Sequence, residues 1–343
     1  MRVIVALLFV AACATPLHPD QRDERSSSAM QSLISQGFTG SVLVACGDDI
    51  LFAGDYGLSD SHGREPSYWL ASISKQFTAT AVLKLVEAGR MTLNDPVSRY
   101  FPDAPPDKAP ITIQQLLTHQ SGLTQVYTAD GIVDRNEAVR AILGTQLASS
   151  PGATFRYSND NYTLLAAIVE IVSGERFEDF VRANVFLPAG MRNAGFWPDV
   201  GESFSPPVLS MPVGAMAEPN WGFRGGTGMR ASVRDLHRWT RALDEGRVLR
   251  RESVALLYGP HLTASDGDGV GFGWFSSNSA DGRLLWTRGS EDYGPNVILY
   301  RRTGTPLTII AATNAGPAEA DGPGWSRRAR DALMPIFDAA ACN

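Results

Sequence analysis

The chain has 343 residues, 44% apolar and 19% charged, the balance of a globular protein with a sizeable core and not of a disordered segment. Its formal net charge of −6 comes without a basic run or any interleaving of aromatic and basic residues, so no nucleic-acid partner is expected. Only three of its 30 basic residues are lysines, Lys75, Lys84 and Lys108, and no His-Glu-x-x-His or cysteine–histidine cluster is present to suggest a metal site.

At the N-terminus, Met1-Arg2 precedes an apolar run from Val3 to Ala12, followed by Cys13-Ala14-Thr15-Pro16. The run is too short to cross a bilayer and has the layout of a secretory signal peptide, residues 1–12. Val10-Ala11-Ala12-Cys13 is similar to the bacterial lipoprotein cleavage box. It predicts an exported, periplasmic protein attached to a membrane through lipidated Cys13; Ala12-Cys13-Ala14 also fits ordinary small-x-small cleavage. Residues 13–29 are expected to be a flexible polar tether. Export would leave Cys46 and Cys342 in oxidising surroundings, where they either pair or serve separately as a strand-core residue and a loose terminal thiol.

Gly40–Cys46, a Gly47-Asp48-Asp49 turn and Ile50–Gly54 read as a β-hairpin. A helical pattern starts at Gln76, and a stronger one, Thr163–Val172, is closed by Gly174. Proline and glycine clusters at 102–110 and 206–219 read as surface loops, and Gly225-Gly226-Thr227-Gly228 as a turn ahead of a helix near Ser232. Gly271–Phe275, Leu284–Thr287, Asn296–Tyr300 and Leu307–Ala312 form an antiparallel meander, with a final helix over 326–340. Early and late strands must share one sheet, so the fold class is α+β. An antiparallel sheet of about five strands, flanked by helices from both chain ends, carries a largely helical insert. One domain covers 30–343, its sheet layer about 30–75 and 265–343 and its helical layer about 76–264. The crevice between layers is the natural place for a site.

Ser72-Ile73-Ser74-Lys75 puts a hydroxyl and an amine three residues apart at a helix start, on one face. A serine needs a neighbouring base to act as a nucleophile, and lysine can lose its proton where arginine cannot. Downstream, Tyr157-Ser158-Asn159 precedes the strongest helix of the insert. No serine is flanked at two residues on both sides by glycine, so the nucleophile elbow of α/β-hydrolases is absent.

With Ser72-x-x-Lys75 as first motif and Tyr157-x-Asn159 as second, the chain resembles the serine β-lactamase and penicillin-binding-protein superfamily. The branch is that of class C β-lactamases, D-alanyl-D-alanine carboxypeptidases, D-aminopeptidases and related carboxylesterases. Leu93–Tyr100, Leu116–Leu123, Leu187–Met191 and Gly228–Leu236 carry the resemblance in the same order, over about residues 30–340. It implies a β-lactamase-like fold and an acyl-enzyme formed on Ser72. Lys75 and Tyr157 would share the general-base role, and Asn159 would orient Lys75 and contact substrate. The backbone N–H of Ser72 and one from a third-motif strand would hold the oxyanion.

That third motif departs from the family's Lys-Thr-Gly or His-x-Gly. Thr287-Arg288-Gly289 keeps the glycine, and Arg288-Gly289-Ser290 keeps a cation with which Arg288 would grip a substrate carboxylate. Arg288, Gly289 and Ser290 are therefore the expected substrate-binding residues. His119 is expected to hold its own loop. The resemblance implies a small-molecule or peptide-like substrate, no cofactor, and ester or amide cleavage of esterase or D-aminopeptidase type. Carboxypeptidase or class C-like β-lactamase activity, and a non-catalytic binding lipoprotein on the same fold, are the alternatives.

Overall fold

The computed structural model describes residues 18–57, 65–124, 127–197, 220–279, 282–290, 294–313, 324–337 and 342. The expected signal peptide, Cys13 and the 206–219 loop lie outside the described residues. Eleven strands are described: β1 Gly40–Cys46, β2 Asp49–Tyr56, β3 Tyr68–Trp69, β4 Gly195–Phe196, β5 Met229–Ala231, β6 Leu262–Thr263, β7 Gly269–Val270, β8 Phe275–Ser279, β9 Gly282–Ser290, β10 Asn296–Arg302 and β11 Leu307–Thr313. Eight form one sheet in the order β2-β1-β11-β10-β9-β8-β7-β6, and β3-β5-β4 make a small second sheet.

The ends of the chain meet as expected. β1 pairs antiparallel with β11, Ser41 opposite Ala312 and Val44 opposite Ile309. Both strands are almost wholly buried, which explains their near-continuous apolar composition. A disulfide joins Cys46 to Cys342, Cα atoms 5.5 Å apart.

The sheet has eight strands, not about five. β6 and β7 are two residues long, too short for any periodicity, and β8 reads Phe-Ser-Ser-Asn-Ser, without apolar alternation. Most of Gly271–Phe275, expected as a strand, is the bend before β8, where Gly273 takes φ +71°. The tether is corrected too: the described part of 13–29 belongs to helix α1, Pro19–Ser35. Its sequence is polar because only Ser26, Met30 and Leu33 face inward. Met30 and Leu33 join Trp325, Ala329 and Leu333 of the last helix against one face of the sheet, so tertiary packing makes the helix where composition does not.

The other face of the sheet carries the helical layer. Its helices are α2 Ser74–Glu87, α3 Ile113–Leu117, α4 Arg135–Leu143, α5 Asn159–Ser173, α6 Phe177–Val181, α7 Leu187–Ala189, α8 Val233–Asp244 and α9 Arg251–Tyr258; the last helix is α10 Trp325–Leu333. α2 is buried on every side from Ser74 to Leu83, as α5 is from Asn159 to Val169, the pattern of helices at the centre of a large core. α5 ends at Gly174, whose φ of +78° supplies the left-handed cap. None of the described helices is long and apolar enough to cross a membrane.

Candidate active site

Three segments converge between the layers. The first is the turn Ala71–Ile73, a single 3-10 turn that leads into α2. Ser72 therefore stands just ahead of the helix, with the positive end of the helix dipole behind it. Lys75 is one turn further on, 2% exposed. Ser74, between them, points inward: its hydroxyl donates to Thr227 O at 2.8 Å and accepts from Met229 N–H at 3.2 Å.

The Lys75 amine is held by three oxygens: Asn159 Oδ1 at 2.8 Å, Gly226 O at 3.0 Å and Ser72 Oγ at 3.1 Å. Two are carbonyls and can only accept, so two N–H bonds are committed to them. The remaining direction meets the serine hydroxyl, either as an N–H in the ammonium or as a lone pair in the neutral amine. Tyr157 completes the set, its hydroxyl 2.6 Å from Ser72 Oγ. Lys75 Nζ also lies 4.9 Å from the centre of the Tyr157 ring and 5.6 Å from that of Tyr162, within reach of a cation–π attraction that favours its charged form. The structure thus brings Ser72, Lys75, Tyr157 and Asn159 together.

His119 supports Tyr157 from behind, its imidazole stacked on the phenol with ring centres 4.4 Å apart and planes 28° apart. Its Nδ1 faces the Ser158 N–H at 3.1 Å and the Asn161 amide nitrogen at 3.2 Å. Burial, with the Lys75 charge second, holds its pKa well below the usual imidazole value, so the ring is neutral, accepting at Nδ1 and carrying its proton on Nε2. Among the described residues, the two non-glycine positions with left-handed backbone are His119 (φ +57°) and Ala71 (φ +43°). Both adjoin this constellation, and backbone strain of this kind collects at functional sites.

The third segment is β9. Leu285, Thr287 and Gly289 are buried and Arg288 is exposed. Gly289 runs against the turn that carries Ser72: a Cβ there would lie 2.0 Å from Leu70 O and 2.9 Å from Ala71 Cβ. A cavity of about 400 Å³ opens where the segments meet. Ser72, Lys75 and Tyr157 line it together with Thr287, Arg288 and Ser290, and aromatic side chains supply much of the remaining wall.

The beta-lactamase family profile matches residues 31–334. The chain belongs to the beta-lactamase family. A curated relative, penicillin-binding protein 4* of Bacillus subtilis (strain 168), is 29% identical over 317 residues, 81% of this chain and 68% of that protein. The chain spans between about half and two thirds of the lengths of the curated relatives it matches. Among solved structures, the D-amino acid amidase of Ochrobactrum anthropi SV3 complexed with D-phenylalanine superposes with a TM-score of 0.75 at 21% identity, covering 92% of this chain and 98% of the amidase. EstCE1, described as a hydrolase with promiscuous acyltransferase activity, superposes at 0.71 and 24% identity, covering 92% and 99%. At these identities the two structures speak for the beta-lactamase fold.

Both third-motif registers contain Gly289, and its contact with Leu70 and Ala71 explains why glycine stands where the strand touches the nucleophile turn. Thr287 is 2% exposed and Arg288 is exposed, and both line the cavity. One participant was missed in the sequence, and a second was expected only to hold its own loop. Gly226 holds Lys75 through its carbonyl, and no side-chain pattern announces a carbonyl. The ring stacking of His119 on Tyr157 joins residues far apart in the chain, and only the Leu116–Leu123 motif hinted at the histidine.

Proposed function

We propose that this beta-lactamase-family protein hydrolyses an ester or amide through an acyl-enzyme on Ser72, as an esterase or as an amidase or aminopeptidase for D-amino acid derivatives. The observation that carries the reading is the placement of Ser72 Oγ within hydrogen-bond reach of both Tyr157 Oη and Lys75 Nζ, at 2.6 and 3.1 Å. In the acylation step the Ser72 proton passes to Tyr157, whose phenolate the Lys75 ammonium stabilises, while Oγ attacks the substrate carbonyl carbon. The N–H groups of Ser72 and Ser290 receive the oxyanion. Tyr157 then gives the proton to the departing oxygen or nitrogen, and the acyl group leaves by the same steps with water as nucleophile. The lack of a lysine in either third-motif register disfavours β-lactams. Support for the substrate class comes from the structural neighbours named as a D-amino acid amidase and as a hydrolase with promiscuous acyltransferase activity.

The test is labelling with a fluorophosphonate followed by peptide mass spectrometry, with an adduct expected on Ser72. No adduct would favour a non-catalytic binding role, and an adduct elsewhere would remove the assignment. Rates on p-nitrophenyl acetate, a D-alanyl anilide and a chromogenic cephalosporin then rank the subclasses. Fastest turnover of the cephalosporin would favour the class C-like reading.

We also infer an exported protein tethered through lipidated Cys13. The apolar run before Cys13 and the Cys46–Cys342 disulfide, a bond suited to oxidising compartments, support this. Cys13→Ala is expected to release the protein from the membrane fraction; a variant that stays there rules out the lipid anchor.

A further inference from the structure

His119 meets the segment 156–158 at three points, with Tyr157 in the middle. Its carbonyl oxygen accepts the Arg156 N–H at 2.8 Å, its Nδ1 accepts the Ser158 N–H at 3.1 Å, and its ring lies on the Tyr157 phenol with centres 4.4 Å apart. The two acceptors, one main-chain and one side-chain, come from a single residue with left-handed backbone, φ +57°. A non-glycine residue keeps that conformation only where its surroundings enforce it.

The imidazole is itself held on several sides. The Asn161 amide nitrogen stands 3.2 Å from Nδ1, and Asn161 Oδ1 accepts the Ser121 hydroxyl at 2.5 Å, which fixes the amide with its nitrogen toward the ring. Phe155 meets the imidazole edge-on at 5.9 Å and Tyr162 lies 5.2 Å away. Holding a loop would need only the two acceptors; the ring face on Tyr157 adds a second constraint. A tyrosine fixed by its backbone alone can still swing about its side-chain bonds, and Tyr157 Oη has to stay 2.6 Å from Ser72 Oγ with its ring 4.9 Å from Lys75 Nζ. Positive charge reaches the phenol from Lys75 on α2, while burial keeps Tyr162 on α5 protonated.

We propose that His119 is a positioning residue for the reaction, its ring face holding the Tyr157 phenol between Ser72 and the Lys75 ammonium so that the phenolate forms there and takes the Ser72 proton. The proposal rests on the Ser72 acyl-enzyme reading. His119 transfers no proton itself in this role. It acts by restricting Tyr157 to the one orientation in which base, nucleophile and ammonium are in register, and misplacement of such a group by about 1 Å can cost roughly 10²-fold in rate.

The experiment compares His119→Asn and His119→Phe with the unaltered full chain on p-nitrophenyl acetate. Asparagine tolerates left-handed backbone and carries Oδ1 where the imidazole carries Nδ1, so it keeps both acceptors and removes the ring face. Phenylalanine keeps the face and removes the Nδ1 acceptor. His119→Asn is expected to lower kcat by roughly 10²-fold with KM within about twofold. It should also move the rising limb of the kcat–pH profile up by about one pH unit, because a phenol no longer held beside the Lys75 ammonium ionises at higher pH. His119→Phe is expected to leave the limb in place and to melt at lower temperature, since the Ser158 N–H loses its acceptor. An unchanged kcat and limb in His119→Asn would reduce His119 to holding its loop, and a displaced limb in His119→Phe would remove the ring's role; either result overturns the proposal, so one folded variant is enough to decide. Fluorophosphonate labelling of the unaltered protein separates this failure from a failure of the acyl-enzyme: if Ser72 is labelled and the limb does not move in His119→Asn, only the His119 assignment falls.

Discussion

Lys75→Arg is expected to lower kcat/KM by roughly 10³-fold, in the range that loss of general acid–base catalysis produces, although the substitution keeps the positive charge. The reason lies in the three oxygens around Nζ. Asn159 Oδ1, Gly226 O and Ser72 Oγ sit 2.8–3.1 Å from a single nitrogen, an arrangement that suits the tetrahedral donors of an ammonium. A guanidinium spreads its donors over a planar fork and cannot meet these three oxygens from one nitrogen, so it no longer places its charge where it sustains the Tyr157 phenolate. It must also fit a side chain that is 2% exposed, and overpacking of this kind costs about 1–3 kcal/mol. Steady-state rates beside a thermal melt separate the two effects. Retention of more than a tenth of the activity in a folded variant would show that any positive charge at position 75 sustains the Tyr157 phenolate, whatever the geometry of its donors.

The residues that carry side-chain chemistry were legible because each belongs to a short local pattern. Ser72 and Lys75 lie one helical turn apart, and Tyr157 and Asn159 two residues apart at the start of α5, so each pair is placed by local geometry. The joining of the chain ends in one sheet was legible for a similar reason, since β1 and β11 are apolar enough to require cover on both faces. What the sequence hid depends on groups that every residue shares or on packing between distant segments. The Gly226 carbonyl is a backbone atom. The α1 helix is polar and owes its order to three inward residues packed on α10 and the sheet. β6 and β7 exist only as pairings of two residues each, yet the turn between them carries Asp266 into the cavity.

The third motif shows a demand for glycine that spelling alone does not explain. Two registers fit the letters around Arg288, both contain Gly289, and the need for glycine there comes from a backbone contact that no side-chain reasoning exposes. Gly289 needs no left-handed backbone, since its φ is not among the positive ones, so the demand for glycine is one of space. β9 is pinned on its far side by β10, Gly289 opposite Val297 and Ser290 opposite Asn296. The nucleophile turn is pinned as well, Leu70 N–H donating to Met229 O at 2.9 Å. Neither side can yield freely.

Gly289→Ala is therefore expected to cost far more than a methyl group usually does. Its Cβ would stand 2.0 Å from Leu70 O, and clearing ordinary contact distance moves the strand away from the turn by roughly 1 Å or more. That displacement carries the Ser290 N–H away from the oxyanion position. Loss of one such donor lowers kcat by roughly 10²–10³-fold, while overpacking destabilises by about 1–3 kcal/mol. The kinetic loss should fall on kcat more than on KM, because the donor acts on charge that develops only in the transition state. Burst kinetics with a p-nitrophenyl ester and a denaturant melt on the same preparation test both halves. Wild-type acylation in a normally stable variant would mean that β9 accommodates the methyl without moving, and that the Ser290 N–H is not the second oxyanion donor to Ser72.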